Sequence, residues 1–189
     1  MPFIPLRSSL LQPVQRTDVS LNAEMSKSIP FLVKPEKLDG SMVGDMGFDP
    51  MGLSEIQADL KYARWSELKH GRICMLAIVG MLWQEYGPHF PGDAYVTRDV
   101  LAAPGEVGFA VNVQIFLFMS MVELATFNKH YGEGEPGDIG WDFPGLLSKM
   151  SAEEKEKRMT SEIVHCRLAM IAFTGAIVQT LLYGKPLLG

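Results

Sequence analysis

Two stretches of this chain carry an acid, an imidazole and a guanidinium in the same order and at the same spacing. They are Glu67-Leu-Lys-His70-Gly-Arg72-Ile-Cys-Met75-Leu-Ala77 and Glu162-Ile-Val-His165-Cys-Arg167-Leu-Ala-Met170-Ile-Ala172. On an α-helix, Glu67 and His70 are three apart and share a face, as do Glu162 and His165. Arg72 follows Glu67 by five residues, about 140° around the helix axis. The two therefore cannot pair well within one helix, and the same holds for Glu162 and Arg167. Carboxylate and imidazole at this spacing are groups that ligate cations. No nucleophile–base constellation, phosphate loop or complete di-metal set accompanies them, which argues against an enzyme.

Three segments must position these groups. The first runs over about 55–86 and ends in the apolar stretch Ile73–Trp83; the second, about 107–127, is almost wholly apolar; the third covers about 159–183. At 1.5 Å per residue each is long enough to cross a bilayer. With 47% hydrophobic and 21% charged residues the chain is apolar, but charges occupy the first half of segments one and three, so a soluble helical bundle is the alternative. The loop cations decide between them. If all three segments span, residues 1–61 and 128–160 share one side and carry Arg7, Arg16, Lys27, Lys34, Lys37, Lys61, Lys129, Lys149, Lys155, Lys157 and Arg158. The other side carries only Arg98 and Lys185. The positive-inside rule then puts the N-terminus on the cytosol-like face, and a soluble bundle has no reason to sort its cations so. We expect an all-α membrane protein with three transmembrane helices, an extended segment over 1–43 and a helical domain over 44–189.

Other features narrow the classes. A net charge of −5 without a basic run excludes nucleic acid as a partner. Cys74 and Cys166 lie in apolar stretches without metal-type spacing and read as buried structural thiols. The stretch Met1–Met25, with Arg7, Arg16 and several Ser, reads either as the remnant of a plastid transit peptide or as a mature tail.

The two motifs belong to an internal repeat. Glu, His, Arg, Met and Ala recur at a displacement of 95, as do Gly80 and Gly175. Upstream, Gly44-Asp-Met-Gly-Phe-Asp49-Pro is echoed by Gly137-Asp-Ile-Gly-Trp-Asp142-Phe. We therefore expect helices one and three to cross about a pseudo-two-fold axis along the membrane normal. Unpaired charges in a bilayer cost several kcal/mol each, and such an axis supplies partners across the crossing: Glu67 with Arg167, and Arg72 with Glu162. Small residues (Gly71, Ala77, Gly80, Ala169, Ala172, Gly175) would let the backbones approach. A carboxylate neutralised by Arg keeps a lone pair, and each His keeps an imidazole nitrogen. The magnesium of a tetrapyrrole, a hard cation with an open axial position, suits one such donor. A carboxylate di-iron centre would share the Glu-x-x-His pairs but needs two further carboxylates, and the second segment offers Glu123 alone.

On these motifs the chain resembles the chlorophyll-binding light-harvesting antenna superfamily over about residues 28–183. It is most similar to the red-lineage chlorophyll a/c antennae of fucoxanthin or peridinin type, to which Lys-Ser-Ile-Pro-Phe-Leu (27–32) and Leu-Asp-Gly (38–40) also correspond. The resemblance implies magnesium ligands at Glu67, His70, Glu162 and His165, with Gln179 as a third ligand on the last helix and Gln114 and Glu123 on the middle one. His165 stands where green-lineage members carry Asn. It also implies that the loops with Asp45, Phe48, Asp49 and with Asp138, Trp141, Asp142 hold xanthophyll head groups; ordinary capped turns are the alternative reading. His89 and His130 read as solvated loop side chains.

The implied cofactors are chlorophyll a, chlorophyll c, xanthophylls of fucoxanthin, peridinin or diadinoxanthin type, and lipid. The implied partners are a photosystem core, photosystem I preferred, and neighbouring antenna subunits in the thylakoid membrane of a plastid, with the N-terminus stromal. The function implied is light harvesting with carotenoid quenching. A photoprotective stress-type relative is the alternative, and its middle helix would carry fewer ligands than Gln114 plus Glu123.

Overall fold

The computed structural model describes residues 24–130, 134–141, 145, 148–184 and 187. Among them are five α-helices and no strand: α1 (Leu53–Ile56), α2 (Leu60–Tyr86), α3 (Ala103–Glu106), α4 (Phe109–His130) and α5 (Ala152–Tyr183). An isolated antiparallel bridge joins Met25 to Val33 near the start.

Helix starts differ from the sequence expectation for local reasons. Segment one is interrupted: the Asp49 carboxylate accepts from the backbone N–H groups of Leu53 and Ser54, at 2.9 and 2.7 Å, and launches one turn, α1. Gln57 is then extended, and Asp59 caps a new helix by accepting from Lys61 N. Gly108, at φ 82°, separates the short α3 from α4, so the middle helix begins at Phe109. Helix α5 starts at Ala152, seven residues before its apolar pattern. There Ser151 and Glu154 form a reciprocal capping box, and the polar run Ala152–Arg158 has the composition of a solvent-exposed helix.

Although burial alone would raise it, hydrogen bonds from Ser54 and from the Leu53 and Gly52 backbone hold the Asp49 carboxyl below its ordinary value. A depressed folded-state value stabilises above the unfolded carboxyl's range and is lost as pH falls through the folded one. Asp49→Ala should therefore cost about 1 kcal/mol near neutral pH. The difference from wild type should vanish in acid, as thermal melts at both pH values would read.

Helices α2 and α5 pack extensively, whereas α4 stands off from both. The crossing is built on Leu68, Ile163 and Cys166, with Val43 and Met75 packed against them, and Cys166 is completely buried. A side chain at Gly71 would overlap the Cys166 Cβ, so the backbones meet there. The other expected small residues do not all serve this purpose. Ala169 is buried and Ala77 half-buried, but Ala172 is exposed, and Gly80 and Gly175 would have no neighbour within 4 Å of a Cβ. Close approach is confined to one point because the helices cross rather than run side by side.

The loops before α2 and α5 exchange places. Gly44, at φ 74°, packs on Ile163 of α5, and Gly137, at φ 93°, packs on Leu68 of α2. Leu68 and Ile163 are themselves 95 apart.

Among the described residues two helices, α4 and α5, are long and apolar enough to cross a membrane. By the same measure α2 is not. Lys61, Arg64, Glu67, Lys69 and Arg72 fill its first half, and Gln84 and Glu85 close its apolar stretch after Trp83.

Candidate functional site

The charges meet where α2 and α5 cross. Arg167 Nε donates to Glu67 Oε1 at 2.6 Å, and Arg72 Nε donates to Glu162 Oε1 at 2.7 Å. Arg167 also donates from Nη1 to the Gly44 carbonyl at 3.1 Å, tying the first loop to the far helix. These two pairs are 95 residues apart at both ends. A third pair has no counterpart: buried Arg64 places Nη1 3.0 Å from Glu67 Oε2, while the position 95 residues on is Met159. Glu67 therefore faces two guanidinium groups and Glu162 one. Arg64 was absent from the sequence-derived set, although its i,i+3 spacing to Glu67 is a visible signal.

The histidines share one geometry. His70 Nδ1 lies 2.8 Å from the Ser66 carbonyl, and His165 Nδ1 lies 2.7 Å from the Ser161 carbonyl. A carbonyl only accepts, so Nδ1 carries the proton and the Nε2 lone pair is left outward. Both side chains are exposed at the helix surface, and Nε2 has no hydrogen-bond partner among the described residues. A neutral imidazole held in this tautomer is prepared to donate to a cation from Nε2.

On α4, Glu123 Oε2 forms an ion pair with Lys69 of α2. The two residues line a cleft of about 380 Å³ with Tyr62, Trp65, Ser66, His70, Leu124 and Phe127. Gln114 is exposed nine residues earlier on α4, and Gln179 is exposed and donates to the Leu187 carbonyl at 3.4 Å. Twelve residues, about 18 Å of helix, separate Gln179 from Arg167, so neither amide joins the charged cluster. Among the described residues no three His, Cys, Asp or Glu converge, so each donor stands singly. Cys74 and Cys166 are free thiols, Cys166 at the centre of the crossing.

In the loops, Asp45 Oδ1 accepts from Gly47 N at 2.8 Å and Asp138 Oδ1 from Gly140 N at 2.7 Å, the same side-chain-closed turn in both halves. Asp45 also accepts from Gly40 N. The turns display Phe48 and Trp141 to the surface, 66% and 70% exposed. Asp142 lies outside the described residues, as does the His130 side chain at the end of α4. His89 is half-buried rather than solvated, with Nδ1 bonded to the Tyr95 carbonyl. At the other end of α2, buried Glu85 was also missed. Its carboxylate accepts from Leu187 N at 2.9 and 3.1 Å, and Arg98 donates to its carbonyl at 2.6 Å. That fastens both following segments to α2.

The family model for chlorophyll A-B binding protein matches residues 34–181, most of the chain and both halves of the repeat. The chain belongs to this family. It is 30% identical to chlorophyll a-b binding protein 4, chloroplastic, of Arabidopsis thaliana, over 94% of this chain and 76% of that protein. To the fucoxanthin-chlorophyll a-c binding protein, chloroplastic, of Chattonella marina var. antiqua it is 34% identical, over 94% of this chain and 83% of that one. To chlorophyll a-b binding protein CP24 10A, chloroplastic, of Solanum lycopersicum it is 33% identical, over 75% and 67%. For a chlorophyll-binding family the donor set fits its ligand: single imidazole and carboxylate groups suit a metal whose other positions the tetrapyrrole fills.

Proposed function

We propose that this protein is a light-harvesting antenna subunit that fixes chlorophylls and carotenoids in a plastid thylakoid membrane and passes excitation to a photosystem. The observation that carries this reading is the pair of imidazoles, His70 and His165, each locked at Nδ1 and exposed at Nε2 beside an Arg-neutralised carboxylate. Chlorophyll supplies the absorption; the chain supplies position. His70 and His165 hold one magnesium each through Nε2, and Glu67 and Glu162 each hold another through carboxylate oxygen. Gln114, Glu123 and Gln179 are the remaining ligands. Phe48 and Trp141, presented by turns that Asp45 and Asp138 close, lie against xanthophyll end groups, with Asp49 and Asp142 in the same loops.

In this reading α2, α4 and α5 all span, and α2 and α5 are related by a pseudo-two-fold axis along the membrane normal. Cross-helix ion pairs are what allow α2 to lie in the bilayer despite its charges, because Glu67 and Arg72 each meet an opposite charge from α5. Residues 44–189 form the pigment-binding domain, and residues 1–43 precede it on the stromal side, where loop cations concentrate. Similarity to a fucoxanthin-chlorophyll a-c binding protein favours chlorophyll a with chlorophyll c and a fucoxanthin-type or peridinin/diadinoxanthin-type xanthophyll, with lipid filling the remaining apolar surface. Partners are neighbouring antenna subunits and a photosystem core, photosystem I preferred, and the bound xanthophylls quench excess excitation.

An absorption spectrum of the purified protein tests this: chlorophyll and carotenoid bands are expected, and a colourless or iron-containing protein overturns it. His70→Phe and His165→Phe should each lower the chlorophyll count by one per polypeptide, measured by solvent extraction.

A further inference from the structure

Among the described residues, helix α4 packs only sparsely against the other helices. It makes few contacts with α2 or α5, and Phe109, Phe116, Phe118 and Leu124 are all more than two-thirds exposed. A polar link nonetheless crosses the gap, from Lys69 of α2 to Glu123. Within α4 nothing could replace that cation: positions three and four from Glu123 are Met119, Ser120, Thr126 and Phe127. Nor is Lys69 part of the repeat, since the residue 95 positions on is Val164. The cation is present only in the half of the repeat that forms the cleft with α4.

At the α2–α5 crossing Glu67 and Glu162 each face a guanidinium from the opposite helix, and the Glu123–Lys69 pair repeats that scheme with an ammonium. A bare carboxylate on magnesium leaves a net negative charge in a medium that does not solvate it. A carboxylate held by a cation through one oxygen is neutral and keeps the other oxygen's lone pairs. An ion pair serving only to join two helices in lipid gives no net advantage over an apolar contact, because its desolvation offsets its attraction.

We propose that Lys69 is a positioning residue for pigment: it neutralises Glu123 from the neighbouring helix, so that the magnesium site on α4 is assembled from two helices. This rests on the antenna reading above.

The test is the chlorophyll count of the full chain, reconstituted with extracted chlorophylls and carotenoids. Lys69→Met should lose one chlorophyll per polypeptide, and Lys69→Arg should keep it. Two charge-free double variants separate ligation from simple charge balance. Lys69→Met with Glu123→Gln should regain the lost chlorophyll, because a neutral amide ligates without a counter-ion; Lys69→Met with Glu123→Leu should remain one short. Equal counts in the two doubles, or a full count in Lys69→Met, overturn the proposal. Should Lys69→Met fail to assemble, the two doubles still give the answer. A wild-type chain that takes up no chlorophyll would instead sink the antenna reading itself.

Discussion

Arg167→Leu should abolish accumulation of the pigmented protein, and Arg167→Glu combined with Glu67→Arg should recover much of it. Arg167 binds the Glu67 carboxylate at 2.6 Å and the Gly44 carbonyl at 3.1 Å, so it joins α5 to α2 and to the first loop together. Removing it leaves Glu67 opposite Arg64 alone and frees the Gly44 carbonyl. Glu67 keeps a partner within its own helix, but the charged hydrogen bond between the helices, worth about 2 kcal/mol, and the contact to the first loop are lost together. That is a large share of the stability of a small domain. The paired reversal restores attraction between the helices. It also sets the new arginine beside Arg64, so recovery should be incomplete. The matching variants at Arg72 and Glu162, where no third cation intrudes, should recover further. Pigmented protein recovered after detergent solubilisation reads both comparisons. Equal accumulation of Arg167→Leu and wild type would show that the crossing does not depend on its ion pairs.

The pairing partners were legible in sequence because two physical facts act together. Five residues on a helix point apart, and a charge in lipid needs an opposite, so each acid had to look to the other copy of the motif. Arg64 escaped because it breaks the repeat: symmetry directs attention to what both halves share, and its counterpart is Met159. Lys69 escaped for the same reason, its counterpart being Val164. Glu123 stood out as the lone acid in an apolar helix, but its neutralising partner could be found only from the packing of α4 beside α2.

Helix existence was readable from apolar length, whereas helix boundaries were set by caps. The start of α5 at Ala152 is a case where the signal was present, since Ser151-Ala-Glu-Glu154 is a capping-box sequence. The apolar pattern, which begins only after Arg158, concealed it. The interruption at Gln57 was hidden differently. Nothing in that residue forbids helix; Asp49 and Asp59, ten residues apart, each cap a helix, and the chain between must turn. The count of spans is less direct in the same segment. Length and the sorting of loop cations point to three, while the charges that make α2 chemically interesting also shorten its apolar stretch, so among the described helices only α4 and α5 qualify on apolarity.

Gly71→Leu should disrupt the crossing as severely as loss of an ion pair, while Gly80→Leu, nine residues further along α2, should be nearly silent. A Cβ at Gly71 overlaps the Cβ of Cys166, and the Cys166 backbone lies directly behind it, so no side-chain rotation relieves the clash. The helices must separate, and separation lengthens the Arg72–Glu162 and Arg167–Glu67 contacts that lie on either side of the same point. Overpacking of this kind costs about 3 kcal/mol before those pairs are weakened. Gly80 has no neighbour within 4 Å of a Cβ, and an added leucine there extends into space the crossing does not use. Thermal loss of the pigment circular-dichroism signal would separate the two: a markedly lowered midpoint for Gly71→Leu and an unchanged one for Gly80→Leu. Gly71→Ala, which adds only the offending carbon, should already lie much closer to Gly71→Leu than to wild type, because it is backbone proximity and not side-chain volume that sets the limit. If Gly71→Ala behaves like wild type, the helices cross at a greater distance than the Gly71–Cys166 contact requires, and the ion pairs must be reached by longer side-chain extension.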